Sequence, residues 1–220
     1  MRGILKFKES EKMPKKLKPN SDYFQPDFYR FSQDSTKLAK IVAEEMVLLP
    51  EGSWCMDVGA GCGVLGIEII KNLGRKINFD FLEIQKDFKD FFYENLNLLG
   101  REKKYCDFHN VDFRKFSAQK KYSLIVSNPP YFFPGKGRPS LDPRKNKCRF
   151  FIEGSYGELL NFFKLCLLPE GKGYILYREN GKKNMEELFL EFGSYFSFSK
   201  RPLDKKTNLL VVSILDKKGN

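Results

Sequence analysis

The stretch Asp57-Val58-Gly59-Ala60-Gly61-Cys62-Gly63 constrains this chain more than any other. It follows an apolar run that begins at Trp54. It precedes residues 64–73, where apolar side chains recur at helical spacing. Glycines let a backbone turn from strand to helix within a few residues and approach a ligand where a side chain would collide. Gly61-x-Gly63-x-x-Gly66 also has the glycine spacing of a nucleotide-binding turn, a weak signal by itself. A strand, a tight glycine turn and a helix form the opening unit of an α/β fold built on a largely parallel sheet.

The alternation continues along the chain. The spacing predicts a first helix after Ser35, with Leu38, Ile41, Val42, Met46 and Leu49 on one face, stopping at Pro50. Strands are expected over 54–59, 77–84, 105–111, 122–127 and 173–177, with helices from Val64, near Asp87 and after Ser155. Ser155 and Glu158 form a capping box for the last of these. A final helix carries Met185, Leu188, Phe189 and Phe192. Two closing strands, around 195–199 and 209–215, are joined by a short polar connection and should pair antiparallel. Residues 131–153 break this rhythm, an interruption too long for an ordinary connection. The expected organisation is a basic tail over 1–22 and one domain over 23–220, with 131–153 as a basic substrate-facing loop.

Charge singles out the same two regions. The net charge is +11, of which residues 1–20 contribute +5 and residues 132–149 another +5. Two basic segments on an almost neutral body point to a polyanionic partner, nucleic acid before membrane. No apolar run approaches membrane-spanning length, and no signal-peptide pattern follows Met1. The cysteines, Cys55, Cys62, Cys106, Cys148 and Cys166, are odd in number and include no C-x-x-C pair, and His109 is the single histidine. Reduced thiols, a cytoplasmic setting and no metal are expected. His109, inside a strand, reads as structural.

The chemistry gathers at strand ends. Glu83 ends the second strand, where a carboxylate can accept from both hydroxyls of a ribose. Asp112-Phe113 ends the third, offering an acceptor and an aromatic to an adenine. Asn128-Pro129-Pro130-Tyr131 follows the apolar strand Leu124-Ile125-Val126 directly. Two prolines fix the chain and remove two backbone donors. The Asn128 oxygen and the Pro129 carbonyl can then accept both hydrogens of an amino group, turning its lone pair toward a methyl donor and offsetting positive charge as transfer proceeds. Tyr131 supplies a flat face for a planar amide or base.

Together these residues resemble the class I S-adenosylmethionine-dependent methyltransferases of the Asn-Pro-Pro-Tyr group. The resemblance implies a Rossmann-like α/β fold: a seven-stranded, mostly parallel sheet with a C-terminal antiparallel hairpin and helices on both faces. It implies S-adenosylmethionine as cofactor, held by Asp57, Gly59, Gly61, Gly63, Glu83, Ile84, Asp112, Phe113 and Asn128, with Asn128, Pro129, Pro130 and Tyr131 as the catalytic motif. Within the group, the bacterial valine-tRNA adenine-N6 methyltransferases look most similar. Tyr29-Arg30-Phe31-Ser32-Gln33-Asp34-Ser35 resembles their segment before the cofactor loop, which adds Ser32 and Asp34 to the cofactor set. Tyr131-Phe132, Gly135-x-Gly137 and Arg149 are similar to their loop after the motif, although Phe150-Phe151 stands where His-Glu usually follows the arginine. The expected substrate is RNA, tRNA first, held by Lys136, Arg138, Arg144, Lys145 and Arg149 and methylated on an adenine N6. Glutamine N5 methylation of a translation release factor is the alternative. A dehydrogenase leaves Asn128 to Tyr131 unexplained, and a silent RNA-binding module would not bind S-adenosylmethionine.

Overall fold

The computed structural model describes residues 23–133, 135, 138–178 and 185–215. The basic tail over 1–22 lies outside them, as does Lys136. The strands are β1 Trp54–Val58, β2 Asn78–Leu82, β3 Cys106–His109, β4 Tyr122–Ser127, β5 Leu167–Tyr177, β6 Phe196–Pro202 and β7 Asn208–Ile214. They form one sheet in the order β3-β2-β1-β4-β5-β7-β6. The first five strands run parallel, and β7 is antiparallel to both β5 and β6. The expected seven-stranded sheet with its closing hairpin is the architecture observed.

Both faces of the sheet are covered, which explains why its strands are apolar almost throughout. Cys55, Phe79, Phe81, Leu124, Val126 and Tyr174 face a layer built by α1 Gln33–Glu45, α2 Val64–Leu73 and α3 Lys89–Leu96. Met56, Val58, Leu82, Ile125 and Ile175 face α5 Tyr156–Cys166 and α6 Met185–Phe192. At Gly66 a Cβ would lie 2.4 Å from the Phe81 ring, so α2 lies on β2 at a distance only glycine permits. The capping box forms as expected, with Ser155 Oγ accepting from the Glu158 N–H at 3.2 Å.

Three expectations are corrected. Helix α1 begins at Gln33, before Ser35, and ends at Glu45 instead of reaching Pro50. Val47 and Leu48 are exposed, while Leu49 beyond the helix still reaches the core. Strand β5 begins at Leu167, not Gly173, with a register shift opposite Tyr122 and Leu124. Residues 131–153 are not merely a loop. They contain α4 Pro143–Arg149, capped by Asp142, whose side chain accepts from the Arg144 N–H at 2.9 Å. Their ends are tied together where Phe132 N–H donates to the Arg149 carbonyl at 3.1 Å and Phe151 N–H to the Phe132 carbonyl at 2.6 Å.

From β1 the chain moves outward through β2 to β3, then crosses back to β4 on the other side. At such a reversal the connections leave in opposite directions and open a crevice at the carboxyl ends of the strands.

Candidate active site

That crevice is a cavity of about 260 Å³. Four strand ends supply one wall: Gly59 and Gly61 after β1, Glu83 and Ile84 after β2, Asp112 and Phe113 after β3, and Asn128 to Tyr131 after β4. Ser32 borders it, and the end of α4 contributes Lys147, Cys148 and Arg149 with Phe150 beyond. Gly59 has φ +76° and Gly61 φ +55°, left-handed backbone that brings the turn to the cavity without side chains.

Glu83 is 6% exposed. Its Oε2 accepts from the Gly61 N–H at 2.8 Å and its Oε1 from the Gln85 N–H at 2.8 Å. Each carboxylate oxygen keeps a further lone pair, so this side chain can brace the glycine turn and still receive two hydroxyls. Burial pushes its carboxyl above the ordinary glutamate value, against the pull of those N–H groups.

Several expected cofactor residues stand elsewhere. Asp57 does not line the cavity; it borders a smaller cleft behind the turn, and its Oδ2 accepts from the Gly66 N–H at 3.1 Å, anchoring α2. Burial pushes Asp57 up to about 7. Gly63 faces the core, where a Cβ would meet Phe92 at 2.7 Å. Asp34 is buried behind Tyr131 rather than on the cavity. Asp112 borders the cavity, but Arg114 grips its carboxylate through Nε at 2.9 Å and Nη2 at 2.5 Å. That hydrogen bonding holds its carboxyl below the usual range.

The Asn-Pro-Pro-Tyr motif is oriented from α1. Asn128 Nδ2 donates to Ser35 Oγ at 2.9 Å, and Ser35 is buried. One N–H of the amide is thus taken by the protein, which fixes a side chain on the cavity wall whose oxygen can still accept. The Tyr131 hydroxyl donates to Asp34 Oδ2 at 2.9 Å. Adjacent residues of one helical turn therefore fix both polar members of the motif. Ser35 was not foreseen as a site residue, because its contact spans 93 positions and no local pattern marks it.

The basic segment divides into paired and open charges. Arg144 reaches Asp142 at 2.9 Å and Asp87 at 3.5 Å, and Lys147 reaches Glu153 at 3.0 Å. Arg144 therefore helps to hold α4 in place. Among the described residues no carboxylate pairs with Arg138, Lys145 or Arg149. Arg149 borders the cavity, while Arg138 and Lys145 are exposed. The cluster of Glu153, Lys147 and Arg114 beside Asp112 was also missed, since it joins residues from three separate segments. His109 lies away from the cavity, with Nε2 2.8 Å from Asp80 Oδ1.

The five cysteines are free, and no cluster of His, Cys, Asp or Glu among the described residues could hold a metal ion. No helix among the described residues is long and apolar enough to cross a membrane.

Glu83→Ala should weaken S-adenosylmethionine binding by about 1.5–3 kcal/mol, the range for hydrogen bonds to a charged group. It should also lower the melting temperature, because the Gly61 and Gln85 N–H groups lose their acceptor. On this assignment the ribose hydroxyls would donate to the ionised carboxylate, so affinity should fall as pH drops through Glu83's raised value. Calorimetry across pH checks both; unchanged affinity in the variant would reject the assignment.

The chain has measurable relatives. Proteins named tRNA1(Val) (adenine(37)-N6)-methyltransferase from Shigella sonnei and Escherichia coli are each 24% identical over 176 residues, covering 76% of this chain and 70% of theirs. Among solved structures, a putative class I S-adenosylmethionine-dependent methyltransferase from Listeria monocytogenes superposes with TM-score 0.61 at 14% identity, covering 89% of this chain and 64% of that one. A ribosomal protein L11 methylase from Lactobacillus delbrueckii gives TM-score 0.61 at 17% identity over 91% of both chains. These superpositions show a shared fold. The profile of the methyltransferase small domain matches residues 31–140, from the segment before the glycine turn through the Asn-Pro-Pro-Tyr motif and into the basic segment. The chain belongs to the methyltransferase small domain family.

Proposed function

We propose that this protein transfers a methyl group from S-adenosylmethionine to the exocyclic N6 amine of an adenine in RNA, with tRNA as the RNA class. The observation that carries the reading is the Asn128–Ser35 hydrogen bond, which leaves the Asn128 oxygen as an acceptor on a cavity wall shared with Glu83. Glu83 with Gly59, Gly61 and Ser32 would hold the cofactor's polar groups, while Ile84, Val111 and Phe113 would flank a planar ring. The bound cofactor supplies the activated methyl group. Asn128 Oδ1 and the Pro129 carbonyl would accept from the target amine and aim its lone pair, and charge developing on that nitrogen is offset by the same two oxygens. The amine proton becomes acidic only after attack and then passes to water, so no strong base is required. Tyr131 gives the base a surface on which to stack.

RNA is favoured over a protein substrate by the open cations of the basic segment. Arg149 stands at the cavity beside Phe132 and Phe150, and Arg138 and Lys145 lie exposed in the same segment. Cations interleaved with aromatics suit phosphates and unstacked bases held together. The relatives named as tRNA adenine-N6 methyltransferases support the same substrate class. Replacing Arg138 and Lys145 with Ala should flatten the salt dependence of tRNA binding. The log–log slope should fall by about 0.7–0.9 for each phosphate no longer neutralised, with S-adenosylmethionine affinity nearly constant. An unchanged slope would remove the charge argument. The broader test is mass spectrometry of nucleosides from RNA of a strain lacking the gene. Loss of an N6-methyladenosine is expected; an intact nucleoside profile with loss of a methylated glutamine would overturn the RNA reading.

A further inference from the structure

We propose that Arg178 is a positioning residue for methyl transfer, acting through Tyr131; this rests on the methyltransferase reading above. Arg178 directly follows β5, and its guanidinium carbon lies 4.2 Å from the centre of the Tyr131 ring. Tyr131 borders the cavity and Arg178 does not, so the cation backs the ring instead of occupying the substrate space. The guanidinium is itself fixed. Its Nε donates to Thr207 Oγ1 at 3.2 Å, and its Nη2 lies 3.6 Å from Asp34 Oδ2. That same carboxylate oxygen receives the Tyr131 hydroxyl at 2.9 Å and the Thr207 hydroxyl at 3.4 Å.

Thr207 is 1% exposed and Asp34 6%. One buried carboxylate thus joins α1, the catalytic turn, the end of β5 and the residue before β7. The ring is held at its hydroxyl by Asp34, over one face by Arg178 and along the backbone by two prolines. These contacts restrict the tilt of the ring, and tilt decides where a stacked base presents its amine to Asn128. The cation also draws π density toward itself. The opposite face then suits an electron-rich planar base better than a cationic group.

The test is a double-mutant cycle on single-turnover methyl transfer from tritiated S-adenosylmethionine to tRNA purified from a strain lacking the gene. Arg178→Met should slow transfer about 10- to 100-fold, the scale on which a small misplacement of reacting groups acts. Cofactor affinity should stay within about twofold, since Arg178 does not line the cavity. Arg178→Lys keeps a cation for the ring and should recover most of the rate. Tyr131→Leu alone should retain measurable activity. Adding Arg178→Met to it should cost little more, because the ring through which the arginine acts is gone.

A wild-type rate in Arg178→Met, or an equal loss in both backgrounds, would overturn the proposal. If Arg178→Met melts below the assay temperature, Thr207→Val enters the same cycle, removing the hydroxyl that holds Nε while keeping its volume. A wild-type protein that transfers no methyl to this tRNA overturns the RNA reading, and this proposal with it.

Discussion

Asn128→Ala should reduce methyl transfer by roughly 10²–10³-fold while leaving S-adenosylmethionine and RNA binding nearly intact, the loss seen when one preorganised polar group leaves an active site. The structure sharpens the reason. Ser35 takes the amide nitrogen at 2.9 Å, so the oxygen is committed as an acceptor before any substrate arrives. Asn128→Asp keeps an acceptor but loses the donor to Ser35 and adds a charge, so partial activity is expected. Ser35→Ala separates orientation from chemistry. It leaves Asn128 in place but removes one hydrogen bond, worth about 0.5–1.5 kcal/mol, so the rate should fall by about tenfold or less. Single-turnover rates at saturating cofactor and RNA, read beside melting temperatures, decide the matter. Full turnover by a well-folded Asn128→Ala protein would sink the mechanism.

Much of this was legible because the chemistry sits where local patterns change. The glycine turn, Glu83, Asp112-Phe113 and Asn128 to Tyr131 each end a strand, and the sheet order brings the ends to one cavity. The bounds of α2 and β4 agree with expectation because Gly63 and Gly74 bracket the first, while Asn128-Pro129 stops the second. What stayed hidden was tertiary. Ser35, Arg178 and Thr207 reach the motif across the whole chain, and a serine in a helix or an arginine after a strand carries no local mark. Helix α4 was missed for a different reason: Pro-Arg-Lys-Asn-Lys-Cys-Arg has no apolar stripe. Asp142-Pro143, a capping acid before proline at the first helical position, was the available signal. A turn carboxylate has two uses that a local pattern does not separate, and the structure shows that Asp57 anchors α2 through Gly66. Charge counts likewise do not show that Arg144 reaches Asp87 and Asp142.

A large expected loss of stability lies outside the cavity lining, at Asp80. This carboxylate is 1% exposed in the middle of β2. Oδ2 accepts from the Tyr122 hydroxyl at 2.6 Å and lies 3.3 Å from Lys120 Nζ. Oδ1 lies 2.8 Å from His109 Nε2, where a protonated ring nitrogen must be the donor. Burial alone would raise its carboxyl, but the hydrogen bonds from His109 and Tyr122 and the charge of Lys120 outweigh it and hold Asp80 below the ordinary aspartate value. Asp80→Ala should therefore cost about 3–5 kcal/mol, because the partners of a buried charge are left without it. For a chain of this size that corresponds to a melting temperature lower by roughly 6–20 °C. Asp80→Asn keeps an acceptor for Tyr122 and should cost less.

The pH dependence has a definite sign. A depressed carboxylate contributes its stability above the ordinary aspartate value, and that contribution fades as pH falls through the folded-state value. Asp57, raised to about 7, acts in the opposite sense, its burial costing more as pH climbs toward neutrality. Comparing Asp80→Ala with wild type at each pH cancels the Asp57 contribution, which both proteins share. The gap should be full above the ordinary aspartate value and narrow as pH falls below it. Trp54, the single tryptophan, reports on this corner, since Lys120 Nζ sits 3.1 Å from its ring centre. Fluorescence-detected urea unfolding across pH measures the gap directly. A gap that stays constant as the solution is acidified would mean that the shape of Asp80, not its charge, holds the corner together.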